Sequence, residues 1–195
     1  MSPLATLSDL KLRLGLAESD IADDALLDSF LASVSARFEK ECNRLFGRVA
    51  GATYEFPADV REIVPSLYPI ESITAWHLKS NETDGWVAQT GIDFLIRRGC
   101  IVSLPSALGS WQEQGRMTYD AGYVLPDATV GTGQTVLPSD IEQAAIEQCA
   151  YWYQNRNRLG LTSISGDGGA ISTFAQPDLL PNVRAVLKRH ERWVN

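Results

Sequence analysis

The sequence predicts an α+β fold: a helical bundle of a short N-terminal helix, two long helices and a C-terminal helix, bearing a central strand-rich insertion. Three observations predict it. Apolar residues recur at three- and four-residue spacing through residues 19–46 and again through 139–160, which is the mark of an amphipathic helix. Between them, from about Ala52 to Val124, the texture changes to short runs rich in Val, Ile, Thr, Tyr and Trp, broken by Pro and Gly. The expected division is a single domain over 1–195, with 1–48 and 138–195 helical and 49–137 a strand-rich insertion with a loop.

The first helix is expected in TLSDLKLRLGL, where Thr6 and Asp9 can satisfy free amide groups at its start and Gly15 offers a stop. The second places Leu27, Phe30, Leu31, Val34, Phe38, Cys42 and Leu45 on one stripe, and is expected to end near Gly47. Its opening turns carry Asp20, Asp23, Asp24 and Asp28, whose carboxylates suit the positive end of a helix dipole. A calcium loop is the sharper reading of that acidic run, but the glycine such a loop requires is absent.

Strands are expected in ATYEF, REIV, SITAWHL, WVAQ, DFLIR, CIVSL and RMTYDAGY, with hairpin turns at 81–85 and 97–99. After the loop VLPDATVGTGQTVLP, a long helix is expected from Ser139, as its cap, to Gly160. The Gly- and Ser-rich stretch 161–176 is expected to be flexible, and NVRAVLKRHERWV to form the last helix.

Composition excludes several classes. The chain has 195 residues, 45% of them hydrophobic and 21% charged, enough to bury a core without help from disulfides or metals. Its formal net charge of -7 argues against a surface built mainly to grip phosphate. No apolar run reaches the roughly 18 residues of a membrane span, and MSPLATLSDLKLRL does not resemble a secretion signal, so the product is expected in the cytosol when made. Cys42, Cys100 and Cys149 are odd in number and widely spaced, which fits buried reduced thiols.

No cofactor or metal site is expected. With His77 and His190 the only histidines, no zinc spacing exists, and no catalytic constellation is recognisable; GTGQT at 131–135 lacks the lysine of a phosphate loop, and SGDGG at 165–169 reads as a connector. An uncharacterised small cytosolic enzyme is the alternative from another class, and it would need a pocket with convergent polar groups.

Two features point instead to docking. YWYQNRNR gathers Tyr151, Trp152, Tyr153, Arg156 and Arg158, the aromatic and Arg types that anchor interfaces, although a helix buried between other elements would show the same pattern. The last helix sets Val183, Val186, Leu187, His190 and Trp193 on one side and Arg184, Lys188, Arg189 and Arg192 on the other. That basic face, with Trp193, is either a plain solvated face, where positive charge suits a helix C-terminus, or a surface for a partner. Its candidate counterpart is the acidic start of the second helix, at Asp20, Asp23, Asp24 and Asp28, in an adjacent copy.

Four segments in order, DDALLDSFLASVSARFEKECNRLF, YPIESITAW, MTYDAGYVLP and LPSDIEQAAIEQCAYWYQNR, resemble the head-tail connector, or head-completion adaptor, family of siphophages and related particles. VRAVLKRHERW looks like that family's closing helix. The order and spacing carry the resemblance, and the loop 127–136 departs from it. The resemblance implies a structural protein of the virion neck, assembled in the host cytoplasm. Copies would form a ring, commonly dodecameric, below the portal protein, extend the DNA channel without sequence-specific binding, and meet a downstream stopper or tail protein. A neck stopper or tail-completion protein is the alternative within the same assembly.

Overall fold

A computed structural model describes residues 3–158, 163–165, 171–173 and 178–192. The chain divides into two compact units, one of Met1–Cys42 with Pro138–Glu191 and the other of Asn43–Leu137 with Arg192–Asn195.

The first unit holds α1 (Leu7–Leu14), α2 (Asp24–Glu41), α3 (Ser139–Gln154) and α4 (Pro181–Arg189). Thr6 caps α1 as expected: its hydroxyl accepts the Asp9 N–H at 3.0 Å and donates to the Asp9 carboxylate at 2.6 Å. Gly15, at φ 71°, closes the helix, with its N–H on Leu12 O and that of Leu16 on Lys11 O.

In α2 the buried positions are Leu27, Leu31, Val34 and Phe38 from the predicted stripe, together with Ser35, which was not on it. Each fully buried large apolar side chain is worth about 1.5–3 kcal/mol over exposure. The helix stops at Cys42, before the expected Gly47, because Asn43 takes a left-handed conformation at φ 50°. Leu45, placed on the stripe by spacing alone, is therefore off the helix and exposed.

α3 buries Ile141, Ala144, Ala145, Ile146, Gln148, Cys149 and Ala150, and packs against α1, α2 and α4. Its small alanines let three helices approach one central element. Pro138, and not Ser139, occupies the cap position, and no side chain caps that end. Pro181 opens α4 at the position where a missing N–H costs least, and the helix ends at Arg189, short of the expected 194. Two short antiparallel strands, Ser163–Ser165 and Ile171–Thr173, pair within the stretch read as a connector; the remainder of 161–176 lies outside the described residues.

The second unit is built on a four-stranded antiparallel sheet in the order β1 (Val49–Pro57), β7 (Gln114–Ala121), β3 (Ile70–Lys79), β4 (Val87–Gln89). A three-stranded sheet joins β2 (Glu62–Ile63), β6 (Ile101–Ser103) and β5 (Leu95–Arg97), and β8 (Tyr123–Val124) runs parallel to β9 (Thr135–Val136). Every segment read as a strand contains one. β7 shows why: Gly115, Met117, Tyr119 and Ala121 alternate inward while the residues between them do not. They meet Phe56, Ile63, Leu67, Ile70, Trp76, Val102 and Leu104 in a core belonging to this unit.

The turn at 97–99 uses Arg98 and Gly99, both at positive φ, as the twist of a tight hairpin requires. Gly122 lies at φ 103°, and a Cβ there would stand 2.7 Å from both Arg48 Cα and Gly47 O. The bare backbone is what lets the 47–48 segment run against 122–123, where Arg48 N–H donates to Tyr123 O and Tyr123 N–H to Phe46 O.

The expected fold class needs correction. The chain is α+β, but it is strand-rich: its described residues form four α-helices and several mainly antiparallel sheets, not a bundle of two long helices carrying an insertion. An apolar stripe reports that a helix has a buried face and is silent on how much of the chain packs elsewhere. Here the strands close their own core.

Candidate interaction surfaces

The acidic start of α2 is partly spent inside the chain. Lys11, 2% exposed, reaches the Asp24 carboxylate at 2.6 Å and Glu18 O at 3.2 Å, tying the end of α1 to the start of α2. A buried ammonium needs such a partner, since an unpaired one costs several kcal/mol, on the order of 3–5. Asp23 accepts the Tyr153 hydroxyl and lies 3.9 Å from Arg156, whose guanidinium stacks 3.9 Å from the Tyr153 ring centroid. That hydrogen bond to Asp23 is the main reason the Tyr153 phenol titrates above its ordinary value. Asp20 only turns its own loop, accepting Ala22 N–H, and Asp28 is exposed.

Tyr151, Trp152 and Tyr153 are half-buried, and Trp152 meets Phe30 edge-on with centroids 6.0 Å apart. Much of the aromatic surplus of α3 thus packs against α2. Arg158 is described only in its backbone, in the 3-10 turn Arg156–Arg158.

The basic set divides as well. Arg184, Lys188 and Arg189 stand exposed on α4. Arg192 leaves the helix and belongs to the strand-rich unit, where it donates to the Tyr54 hydroxyl at 3.0 Å and to Val64 O. Trp193 lies outside the described residues.

His190, at the end of α4, sets Nε2 2.9 Å from Asp140 Oδ2 in the first turn of α3. Burial works to raise the Asp140 pKa, but the hydrogen bond and charge of His190 and the Ile141 N–H together lower it. A carboxylate with a lowered native pKa stabilises the fold above its unfolded pKa of about 3.9, and that contribution is lost as pH falls through the native value. Asp140→Asn is therefore expected to lower the melting temperature at neutral pH and to match the wild type at acid pH; a deficit of equal size at both would rule out the pair as its source.

Several features were not legible. Arg44, 4% exposed, donates to Tyr68 O and lies 3.3 Å from the Tyr68 centroid, with the Phe46 and Tyr123 rings also near it. Nothing in its neighbours in sequence signals burial. On the strand-rich unit Val87, Leu95 and Trp111 are exposed, Trp111 by 75%. Cys42 and Cys149 are buried, with burial pushing the Cys149 thiol up to about 12, while Cys100 is half-buried. Among the described residues no cluster of His, Cys, Asp or Glu is arranged to hold a metal, and no helix is long and apolar enough to cross a membrane.

The surface of the described residues thus carries exposed charge, exposed apolar side chains and half-buried aromatics. Residues 4–90 match the model of the Phage gp6-like head-tail connector protein family, so the resemblance read from the sequence holds. Among the solved structures that share the fold are two from gene transfer agent particles. One is a chain of the "Neck of empty GTA particle computed with C6 symmetry", at 16% identity and TM-score 0.58. The other is a chain of the "Virion of native gene transfer agent (GTA) particle", at 18% identity and TM-score 0.55. Each alignment covers 98% of this chain and 91% of the other. No curated protein matches the sequence.

Proposed function

We propose that this chain is a structural connector subunit of the neck of a tailed phage or phage-like particle. Copies form a ring below the portal, extend the DNA channel and join head to tail. The observation that carries the reading is the match of residues 4–90 to the head-tail connector family, which covers α1, α2 and the strands through β4. The shared fold over 98% of the chain with a protein of a sixfold-symmetric neck supports it. A ring of sixfold order, twelve copies in the family resemblance, follows from heterologous contacts that close on themselves. The four-helix unit favours the connector over a neck stopper, because stoppers tend towards compact barrels with fewer helices.

In this reading the net charge of -7 lines a channel that repels the phosphate backbone. A purified ring that held duplex DNA tightly at physiological salt would count against that lining. The decisive experiment isolates tailed particles and locates this chain by labelling and by imaging a portal–chain mixture. A ring stacked on the portal at the head–tail junction is the expected result; particles with tails attached but none of this chain at the junction would refute the proposal.

A further inference from the structure

We infer that two surfaces of the helical unit are halves of one contact between copies of this chain: an acidic, apolar corner at α1–α2 and the basic face of α4. The inference rests on the connector reading for the closure of a ring, but the contact itself is argued from the side chains.

The corner is held rigid by Lys11, which binds Glu18 O and Asp24 at once. Around that anchor Leu12 is 78% exposed, Ile21 75%, and Leu26 is also exposed. Glu18, Asp20 and Asp28 belong to the same stretch of chain and are exposed, Glu18 also accepting the Ser8 hydroxyl. Asp23 and Asp24 are already engaged with Tyr153, Arg156 and Lys11, so they drop out of the set the sequence suggested.

The other half lies on α4. At 100° per residue, Arg184, Lys188, Ala185 and Arg189 fall within an arc of about 140°, and all four are exposed. Lys188 and Arg189 form no ion pair among the described residues, and Arg184 donates only to Leu179 O. Ala185 leaves a low spot between long cationic side chains, suited to an aliphatic residue flanked by carboxylates. Arg192 is engaged with Tyr54 and Val64 and takes no part.

Within one copy α1 and α4 both pack on α3, and among the described residues no ion pair joins Glu18, Asp20 or Asp28 to Arg184, Lys188 or Arg189. Opposite charge on separate faces of one body gives a head-to-tail contact, in which a new copy always presents the half that the last one lacks. Exposed ion pairs alone give little, so the apolar corner supplies the desolvated centre and the charges set register.

The test uses the full chain in sedimentation velocity across concentration and salt. Wild type is expected to associate, and more weakly at high salt. Lys188→Glu with Arg189→Glu, and separately Asp20→Lys with Asp28→Lys, are expected to lower the association constant at least about tenfold. An equimolar mixture of the two variants regains association, since the reversed corner of one meets the reversed helix face of the other. If a charge-reversed chain fails to fold by circular dichroism, the neutral pair Lys188→Gln with Arg189→Gln takes its place and is expected to weaken association to a lesser degree. Wild type that stays monomeric at the highest concentration, variants that associate like wild type, or a mixture that stays apart would each overturn the inference. Detection of the chain at the head–tail junction in the same particles would leave the connector reading standing when the contact fails.

Discussion

Gly122→Ala is expected to destabilise the strand-rich unit by about 3 kcal/mol or more. Left-handed backbone costs an L-residue about 1–2 kcal/mol, and forcing a methyl into a packed site adds about 1–3. Here the obstacle is backbone, Gly47 O and Arg48 Cα at 2.7 Å, which cannot rotate away as a side chain can. Relief means parting the 46–48 segment from 122–123 and losing the hydrogen bonds that join them. Gly51→Ala is the control, since Gly51 lies at φ 67° with nothing within 4 Å of a Cβ, leaving only the backbone term. Denaturant melts should separate the two variants clearly; equal midpoints would show that the close approach at Gly122 carries no weight.

Gln148→Leu is the second large effect, at about 1–3 kcal/mol, because it strands the half-buried Leu180 N–H. Gln148 is completely buried in α3, and its side chain is the peg on which the lead-in to α4 hangs: Leu180 N–H donates to Oε1 at 2.9 Å, and Nε2 donates to Asp178 O at 3.4 Å. Leucine keeps the volume and loses both bonds. Hydrogen exchange should accelerate through α4 before the rest of the helical unit, while Gln143→Leu on the exposed face should change stability by no more than about 0.5 kcal/mol. Protection of α4 equal to wild type would remove Gln148 from that role.

What could be read from the sequence was what short-range chemistry decides. Thr6, Asp9 and Gly15 bound α1 through contacts within a turn of one another, and β7 alternates because its own residues do. Boundaries set by a backbone choice were missed: Asn43 ends α2 by turning left-handed, and Pro138 takes the cap position assigned to Ser139. The bundle expectation failed because helical stripes were visible while the strands' common core, assembled from residues as distant as Phe56 and Tyr119, was not.

The candidate surfaces follow the same rule. Residue types were legible and their engagements were not, since Asp23 and Tyr153 are 130 residues apart and His190 and Asp140 are 50 apart. The pairings of Asp23 with Tyr153, Asp24 with Lys11 and Arg192 with Tyr54 removed those three from the free charge and left Arg184, Lys188 and Arg189 in it.

The division of the chain has a consequence for its synthesis. α1 and α2 leave the ribosome well before α3, and the helix that covers Leu27, Leu31, Val34 and Phe38 begins only at Ser139, after the whole β1–β9 segment has been made. At ordinary elongation rates of roughly 5–20 residues per second, that apolar face waits on the order of ten seconds for its cover. During that interval the nascent chain is a ready client for a holding chaperone, and slowing translation within the segment would lengthen its exposure.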